Sequence, residues 1–248
     1  MTIRDVLTNI RERLQKAGIE DFEYESWVFL DWKLHVNRAD FYMNPNGEVK
    51  QELLEELEDI LLKREQRVPL QYLMGECEFM GFDFAVDERV LIPRQDTECL
   101  VELAVEDIRN IKTQNRCEFN NAADQKNEQK VKVLDLCTGS GCIGISVKKL
   151  CQNTEVTLAD ISEGALAVAK KNAENLNANV TLIRGNLFEN IEGRFDYILS
   201  NPPYIPSQVI QGLMPEVKDH EPRLALDGEE DGLAFYRKII EQAPDYIN

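Results

Sequence analysis

Val131-Lys132-Val133-Leu134-Asp135-Leu136-Cys137-Thr138-Gly139-Ser140-Gly141-Cys142-Ile143-Gly144 decides the fold. A short apolar run, 131–136, meets a glycine-rich turn and then a helical pattern through Leu150. Glycines at such a junction let the backbone turn sharply after a strand and come close to a ligand. Downstream the alternation repeats. Residues 156–159 predict a second strand ending at Asp160, and Ser162 caps a helix carrying Ala165, Leu166, Ala169, Ala173 and Leu176. Residues 180–183 and 195–199 predict third and fourth strands. Strand–helix alternation implies an α/β fold: a Rossmann-like, mostly parallel sheet wrapped by helices, with ligands at the carboxyl ends of the strands.

The polar motifs fall at those ends. Gly139, Gly141 and Gly144 match the dinucleotide pattern GxGxxG, and Asp160 follows at about the spacing of a ribose-binding acid. This loop alone fits NAD and S-adenosylmethionine equally, beside the plainer reading of a structural turn. Asp135 tilts the choice, since a carboxylate next to the loop suits a cationic amino group and sulfonium and would repel a pyrophosphate.

The stretch Ser200-Asn201-Pro202-Pro203-Tyr204, directly after the fourth strand, points the same way. Two prolines remove two N–H donors and hold the chain extended with its carbonyls exposed. The Asn201 side-chain carbonyl and the Pro202 backbone carbonyl are then placed to accept both N–H bonds of one planar NH₂ group, with Tyr204 offering a flat face. Such a device holds an amide or aromatic amine with its nitrogen aimed at an electrophile, here the methyl of S-adenosylmethionine.

The first seventy residues read as helices. Ile3, Val6, Leu7, Ile10 and Leu14 follow the possible cap Thr2 and stop at Gly18; Tyr24, Trp27, Leu30 and Leu34 form a second stripe. After the turn at 44–47, Leu53, Leu57, Ile60, Leu61 and Arg64 share one face of a third helix ending near Pro69. These stripes predict the core of a small helical bundle, residues 1–74. From Gly75 the period changes to two, with Phe79, Phe82, Phe84 and Val86 around Met80-Gly81, so 75–94 reads as a hairpin linker. The catalytic domain then spans 95–248, opening on a helix that buries Leu100, Val101, Ala104, Val105 and Ile108. Residues 112–130 are polar and amide-rich and read as a mobile surface loop.

Composition narrows the partners. A net charge of −17 over 248 residues repels phosphate backbones and anionic lipid, so neither nucleic acid nor membrane is expected as a partner. The six cysteines form no CxxC pair and only two histidines accompany them, which argues against a metal site and for reduced thiols in a cytoplasmic protein. No apolar run approaches the roughly 20 residues that span a bilayer. The amphipathic start carries Asp5 and Glu12 and reads as a first helix rather than a transit peptide. A monomer is expected.

The chain resembles the release factor glutamine methyltransferases, the HemK-like or PrmC family, over nearly its whole length. The matching stretches are Pro69-Leu70-Gln71-Tyr72, Leu91-Ile92-Pro93-Arg94, the loop from Asp135 to Gly141, Ala159-Asp160-Ile161-Ser162, Ser200-Asn201-Pro202-Pro203-Tyr204-Ile205 and His220-Glu221-Pro222-Arg223-Leu224-Ala225-Leu226. Asn-Pro-Pro-Tyr alone is shared with adenine-N6 methyltransferases; the stretches at 91–94 and 220–226 are more specific. The resemblance implies a class I S-adenosylmethionine-dependent methyltransferase with a small N-terminal helical domain. It also implies that the substrate is the glutamine of the Gly-Gly-Gln motif of peptide chain release factors, which the helical domain helps to dock. Cofactor contacts then fall on Cys137, Thr138, Gly139, Ser140, Gly141, Asp160, Asn186, Leu187 and Asn201, and substrate contacts on Asn201, Pro202, Pro203 and Tyr204, with Asn201, Pro202 and Tyr204 at the chemistry.

Four departures stand out. Cys137 replaces the family's usual Gly, tolerable if its φ is negative. Asn186 replaces a common Asp whose adenine contact an amide oxygen can still make. Gln95-Asp96 replaces a usual Pro-Glu. The chain stops at Asn248, where the family continues with further strands, which suggests a truncated sequence. Glu221 and Arg223 are read as an ion pair supporting the Asn-Pro-Pro-Tyr loop, in preference to a direct part in catalysis. Two other readings compete: an adenine-N6 methyltransferase on DNA or RNA, which the charge opposes, and a non-catalytic binding protein that keeps the fold.

Overall fold

The computed structural model describes residues 1–118 and 130–248, with the backbone alone described over 111–118. The chain divides into two units: Met1–Met74 with Pro215–His220, and Gly75–Met214 with Glu221–Asn248.

In the helical unit, α1 (Ile3–Lys16) starts on a capping box in which the Thr2 hydroxyl accepts from the Asp5 amide and the Asp5 carboxylate accepts from the Thr2 amide. Its buried stripe is the expected Ile3, Val6, Leu7, Ile10 and Leu14. On α2 (Phe22–Leu34) the expected stripe is corrected. Glu25, Ser26, Phe29, Leu30 and Leu34 face inward, while Tyr24 is 64% exposed and Trp27 lies near the surface. The reason lies in α4 (Gln51–Glu65), whose buried Arg64 demands an acid opposite. Glu25 supplies it with paired bonds of 2.7 and 2.9 Å, and that turns Glu25 inward and Tyr24 outward. Glu216 accepts a further bond from Arg64 at 3.0 Å and two from Arg67 at 2.6 Å, holding the turn Pro215–Lys218 to this unit. The short α3 (Arg38–Met43), capped by Asn37, and α5 (Leu70–Met74), which begins after Pro69, complete it.

In the sheet unit, β1 (Glu76–Phe79) and β2 (Phe82–Ala85) form the expected hairpin through Met80 and Gly81, both at positive φ. Phe79 and Phe84 bury edge to face and share a core with Val101, Ala104, Val105 and Ile108 of α6 (Glu98–Glu118). That helix continues through Glu118, so the expected loop does not begin at 112; Lys, Gln and Arg are helix-compatible even without an apolar stripe. The remainder of that loop, 119–129, lies outside the described residues.

The sheet has the order β5-β4-β3-β6, all parallel, from β3 (Val131–Leu136), β4 (Thr154–Asp160), β5 (Thr181–Arg184) and β6 (Tyr197–Ser200). β6 starts two residues later than the sequence predicts, because Phe195 bridges to Ile247 instead. α7 (Cys142–Leu150) follows the glycine loop and α8 (Glu163–Asn175) follows Asp160. Leu136 stands opposite both Ala159 and Ser200, so the carboxyl ends of three strands finish level. Among the described residues no helix is long and apolar enough to cross a membrane, and no group of three side chains is placed to hold a metal.

Both tryptophans, Trp27 and Trp32, lie on α2, so tryptophan fluorescence reports the helical unit alone. Followed this way in urea, Glu25→Ala lowers its stability by about 3 kcal/mol. That is the low end for breaking a buried ion pair, since Glu216 still neutralises Arg64. Glu23→Ala, which removes the exposed partner of Arg11, changes it by less than about 0.5 kcal/mol. Equal effects would refute the role given to the buried pair.

Candidate active site

The loops after β3, β4, β5 and β6 meet around a cavity of about 280 Å³. Cys137 to Ser140, Asp160 to Ser162, Gly185 to Leu187, Asn201 and Pro203 form one side of its wall; Arg89, Arg94, Thr97, Phe235 and Lys238 also line it.

The glycine loop turns through three left-handed residues, Cys137 (φ 58°), Gly139 (φ 54°) and Gly141 (φ 82°). The condition under which Cys137 was expected to be tolerated is therefore not met: it occupies a conformation that costs a side-chain-bearing residue roughly 1–2 kcal/mol. Its partial burial pushes the Cys137 thiol up to about 12, so it remains protonated at neutral pH. Gly144 has a different reason to be glycine. A Cβ there would lie 2.3 Å from Leu158, so α7 could not pack on the sheet.

Asp135 is fully buried and does not line the cavity, which corrects the expectation that its carboxylate faces a ligand cation. Its Oδ2 accepts from the Thr138 hydroxyl at 2.6 Å and the Gly144 amide at 3.0 Å, pinning both ends of the loop from below. Its Oδ1 has no partner among the described residues. Burial outweighs the two hydrogen bonds and pushes its pKa up to about 7. Gly141 also lies behind the wall, where its amide donates to the Thr138 carbonyl at 2.8 Å.

Asp160 does face the cavity. Each of its oxygens accepts one backbone N–H at 2.9 Å, from Gly139 and from Ser162, which leaves a lone pair on each for a ligand hydroxyl. Asn186 and Leu187 reach the wall from a loop that Glu189 closes by accepting from the Asn186 amide at 3.0 Å.

At the end of β6, Asn201 Nδ2 donates to Thr97 Oγ1 at 3.2 Å, and its Oδ1 has no partner among the described residues. Pro203 lines the cavity; Pro202 is buried just behind it, and its carbonyl accepts no bond among the described residues. The Tyr204 ring is 51% exposed and stands off the wall. Its backbone is fixed, however: a Cβ on Gly228 would lie 2.7 Å from Tyr204 Cα, and one on Gly232 2.2 Å from the Tyr204 oxygen.

The expected Glu221–Arg223 pair does not form. Glu221 pairs with Arg94, at 2.7 and 2.8 Å, and Arg223 with Asp227 one helical turn away at 3.0 Å. Glu221 is buried and needs a cation whose position is fixed, which Arg94 provides and the exposed Arg223 does not. Sequence reasoning also missed Thr97 and Asn172. The buried Asn172 amide accepts from Ala85 N at 2.7 Å and donates to the Ala85 and Ser140 carbonyls at 3.0 and 2.9 Å, tying the hairpin to the glycine loop. Its signal was a single amide beside the alanine stripe of α8; Thr97 carried none.

Because the folded pKa of Asp135 is raised, the stability owed to its neutral form is complete below about pH 4 and is lost as the pH rises through about 7. Asp135→Asn keeps an acceptor for Thr138 and Gly144 without a charge. Calorimetric unfolding should therefore show the variant gaining roughly 2.7 kcal/mol on the parent between pH 5 and pH 8. A pH-independent difference would mean that Asp135 is not buried against ionisation.

With this geometry in hand, the comparisons bear on both units. The family model described as the PrmC N-terminal domain matches residues 5–75, and that of the methyltransferase small domain matches residues 121–217. The release factor glutamine methyltransferase of Geobacter sulfurreducens is 40% identical over 248 residues, covering 100% of this chain and 81% of its own. That of Clostridium acetobutylicum is 40% identical over 248 residues, covering 98% and 81%. A solved methyltransferase structure from Pyrococcus furiosus aligns at a TM-score of 0.40 and 20% identity, over 78% of this chain and 74% of that one, and bears no weight here. The likeness to these relatives spans the whole chain, and the chain belongs to the release factor glutamine methyltransferase family.

Proposed function

We propose that this protein transfers a methyl group from S-adenosylmethionine to the side-chain amide nitrogen of the glutamine in the Gly-Gly-Gln motif of peptide chain release factors. We place the reaction in the cytoplasm, carried out by a monomer whose residues 1–74 dock the protein substrate. The observation that carries the reading is Asn201, which lines the cavity and whose Oδ1 has no partner among the described residues, as the adjoining Pro202 carbonyl has none.

The donor set fits the cofactor. Asp160 offers two acceptors to the ribose hydroxyls, Asn186 an amide oxygen to the adenine amino group, and Leu187 an apolar surface. The residues from Cys137 to Ser140, which line the cavity, would border the methionine end, with Gly141 supporting them from behind. Asp135 acts beneath the loop through Thr138.

When bound, S-adenosylmethionine supplies a methyl on a sulfonium as the electrophile. The substrate amide nitrogen is a weak nucleophile because its lone pair is delocalised. Asn201 Oδ1 and the Pro202 carbonyl accept its two N–H bonds, turn the nitrogen toward the methyl and stabilise the positive charge that develops on it. Pro203 excludes water from one side, and the Tyr204 ring, which stands off the wall, would swing in to lie against the amide plane. As the C–N bond forms and the S–C bond breaks, the nitrogen becomes acidic and loses one proton to solvent, so no strong base is called for. The adenine-N6 alternative shares this acceptor geometry, but a chain of net charge −17 repels the phosphate backbone that would deliver the base.

The test is single-turnover methyl transfer to a release factor, alongside calorimetry with S-adenosylhomocysteine. Asn201→Ala removes one preorganised acceptor and should slow transfer roughly 10²–10³-fold, about 2.7–4 kcal/mol, with a much smaller loss of cofactor affinity. Asp160→Ala should show the opposite split: weak cofactor binding with turnover partly restored at saturating cofactor. Transfer at a near-normal rate by Asn201→Ala would remove the role given to this loop, and label entering nucleic acid instead of release factor would favour the adenine alternative.

A further inference from the structure

Asn201 can hold a substrate NH₂ only if its amide presents oxygen, not nitrogen, to the cavity and keeps its plane there. A side-chain amide is close to two-fold symmetric about its terminal torsion, and that torsion is soft. Something outside the Asn-Pro-Pro-Tyr turn has to fix it.

We propose that Thr97 is a positioning residue for methyl transfer, its hydroxyl accepting from Asn201 Nδ2 at 3.2 Å and thereby locking Oδ1 toward the substrate. The inference rests on the acceptor role given to Asn201 above. Thr97 is half-buried, lines the same cavity, and is separated from Asn201 by 104 positions in the chain.

Its own placement is fixed from both sides. It ends the one-turn 3₁₀ helix Gln95–Thr97, whose amide bond runs from Thr97 N to the Arg94 carbonyl at 2.9 Å. Arg94 is held by the buried Glu221 at 2.7 Å. On the other side, the Glu98 carboxylate accepts from the Met80 amide at 2.6 Å, fastening the start of α6 to the hairpin turn. These bonds fix the Thr97 backbone, so its hydroxyl is carried on a set Cα beside Asn201 Nδ2 before substrate arrives. Donation by Nδ2 also draws the Asn201 amide toward its charge-separated form, which raises electron density on Oδ1 and strengthens the acceptor as positive charge grows on the substrate nitrogen. Thr97 touches neither substrate nor cofactor in this account; it acts through Asn201.

The experiment uses the full chain with a release factor and S-adenosylmethionine. Thr97→Val keeps the shape and removes the acceptor; Thr97→Ala removes it by truncation; Thr97→Ser keeps the hydroxyl. The single-turnover rate should fall about tenfold in Thr97→Val and Thr97→Ala, as for loss of one ordinary hydrogen bond with its partner left in place, while KM for release factor and the affinity for S-adenosylhomocysteine stay within about twofold. Thr97→Ser should recover the rate to within about twofold. In the Asn201→Ala background, adding Thr97→Val should change nothing further, because the group it positions is gone. If Thr97→Val and Thr97→Ala both turn over at the parent rate while Asn201→Ala is crippled, Thr97 has no such role, and the Asn201 reading survives. If Thr97→Ser loses as much as Thr97→Val, or if the double variant loses rate additively, Thr97 matters only as packing and the proposal fails. If Asn201→Ala itself turns over normally, the failure lies with the acceptor reading.

Discussion

The site depends first on one register. Leu136 pairs with Ala159 on one side and Ser200 on the other, so β3, β4 and β6 end at the same height and their next residues converge. Backbone pairing in a parallel sheet cannot slip by one residue without turning every side chain to the opposite face, and this sheet is buried on both faces. Side chains then secure the ends. The Ser200 hydroxyl donates to the Leu136 carbonyl at 2.8 Å, and Asp160 accepts from Gly139 N, so each neighbouring strand is stitched to the end of β3. A glycine loop, an acid and an acceptor loop, drawn from positions as far apart as 137 and 201, share one cavity for that reason.

What secures these ends is polar and buried, and that carries a cost. Asp135 is removed from water with one oxygen that has no partner among the described residues. Asn172 is spared the same cost because all of its amide is used, by Ala85 and Ser140. Cys137 adds backbone strain at the point where the chain turns from β3 into the loop. The strand core of Leu134, Leu136 and Ala159 beside these groups, with Phe188 and Phe195, supplies the apolar burial that outweighs them. Rigidity at the cavity wall is thus obtained by spending some of the stability of the sheet.

Much of this was legible in the residues. Strand–helix alternation with glycine at 139, 141 and 144 identified the parallel sheet, and the apolar stripe of α1 held residue for residue. Periodicity failed where a charge overrode it: Arg64 drew Glu25 inward and left Tyr24 outside. Proximity in sequence misled at Glu221, which lies two positions from Arg223 yet pairs with Arg94, 127 positions away. Asp135 was rightly singled out as special to the loop, but its side was wrong, because the alternation that points Leu136 to one face of the sheet sends its neighbour to the other, under α7. Thr97 was invisible for a simple reason. An exposed-looking threonine after a turn has no periodicity, and its partner is set by tertiary structure alone.

The acceptor loop shows where preorganisation stops. Pro202 and Pro203 fix two φ angles, and Gly228 and Gly232 clasp the Tyr204 backbone so closely that neither can carry a Cβ. Ile205 N donates to the Leu226 carbonyl and Gly228 N to the Ile205 carbonyl, at 3.0 and 2.8 Å, closing the clasp. The acceptors on Asn201 and Pro202 therefore need little ordering when an amide arrives, which is where positioning has most effect on rate. The Tyr204 ring, half in solvent above this fixed backbone, keeps only its two side-chain torsions to lose. A flat group with so little entropy to lose can settle against a planar amide at small cost, so the loop combines a rigid pair of acceptors with one adjustable face.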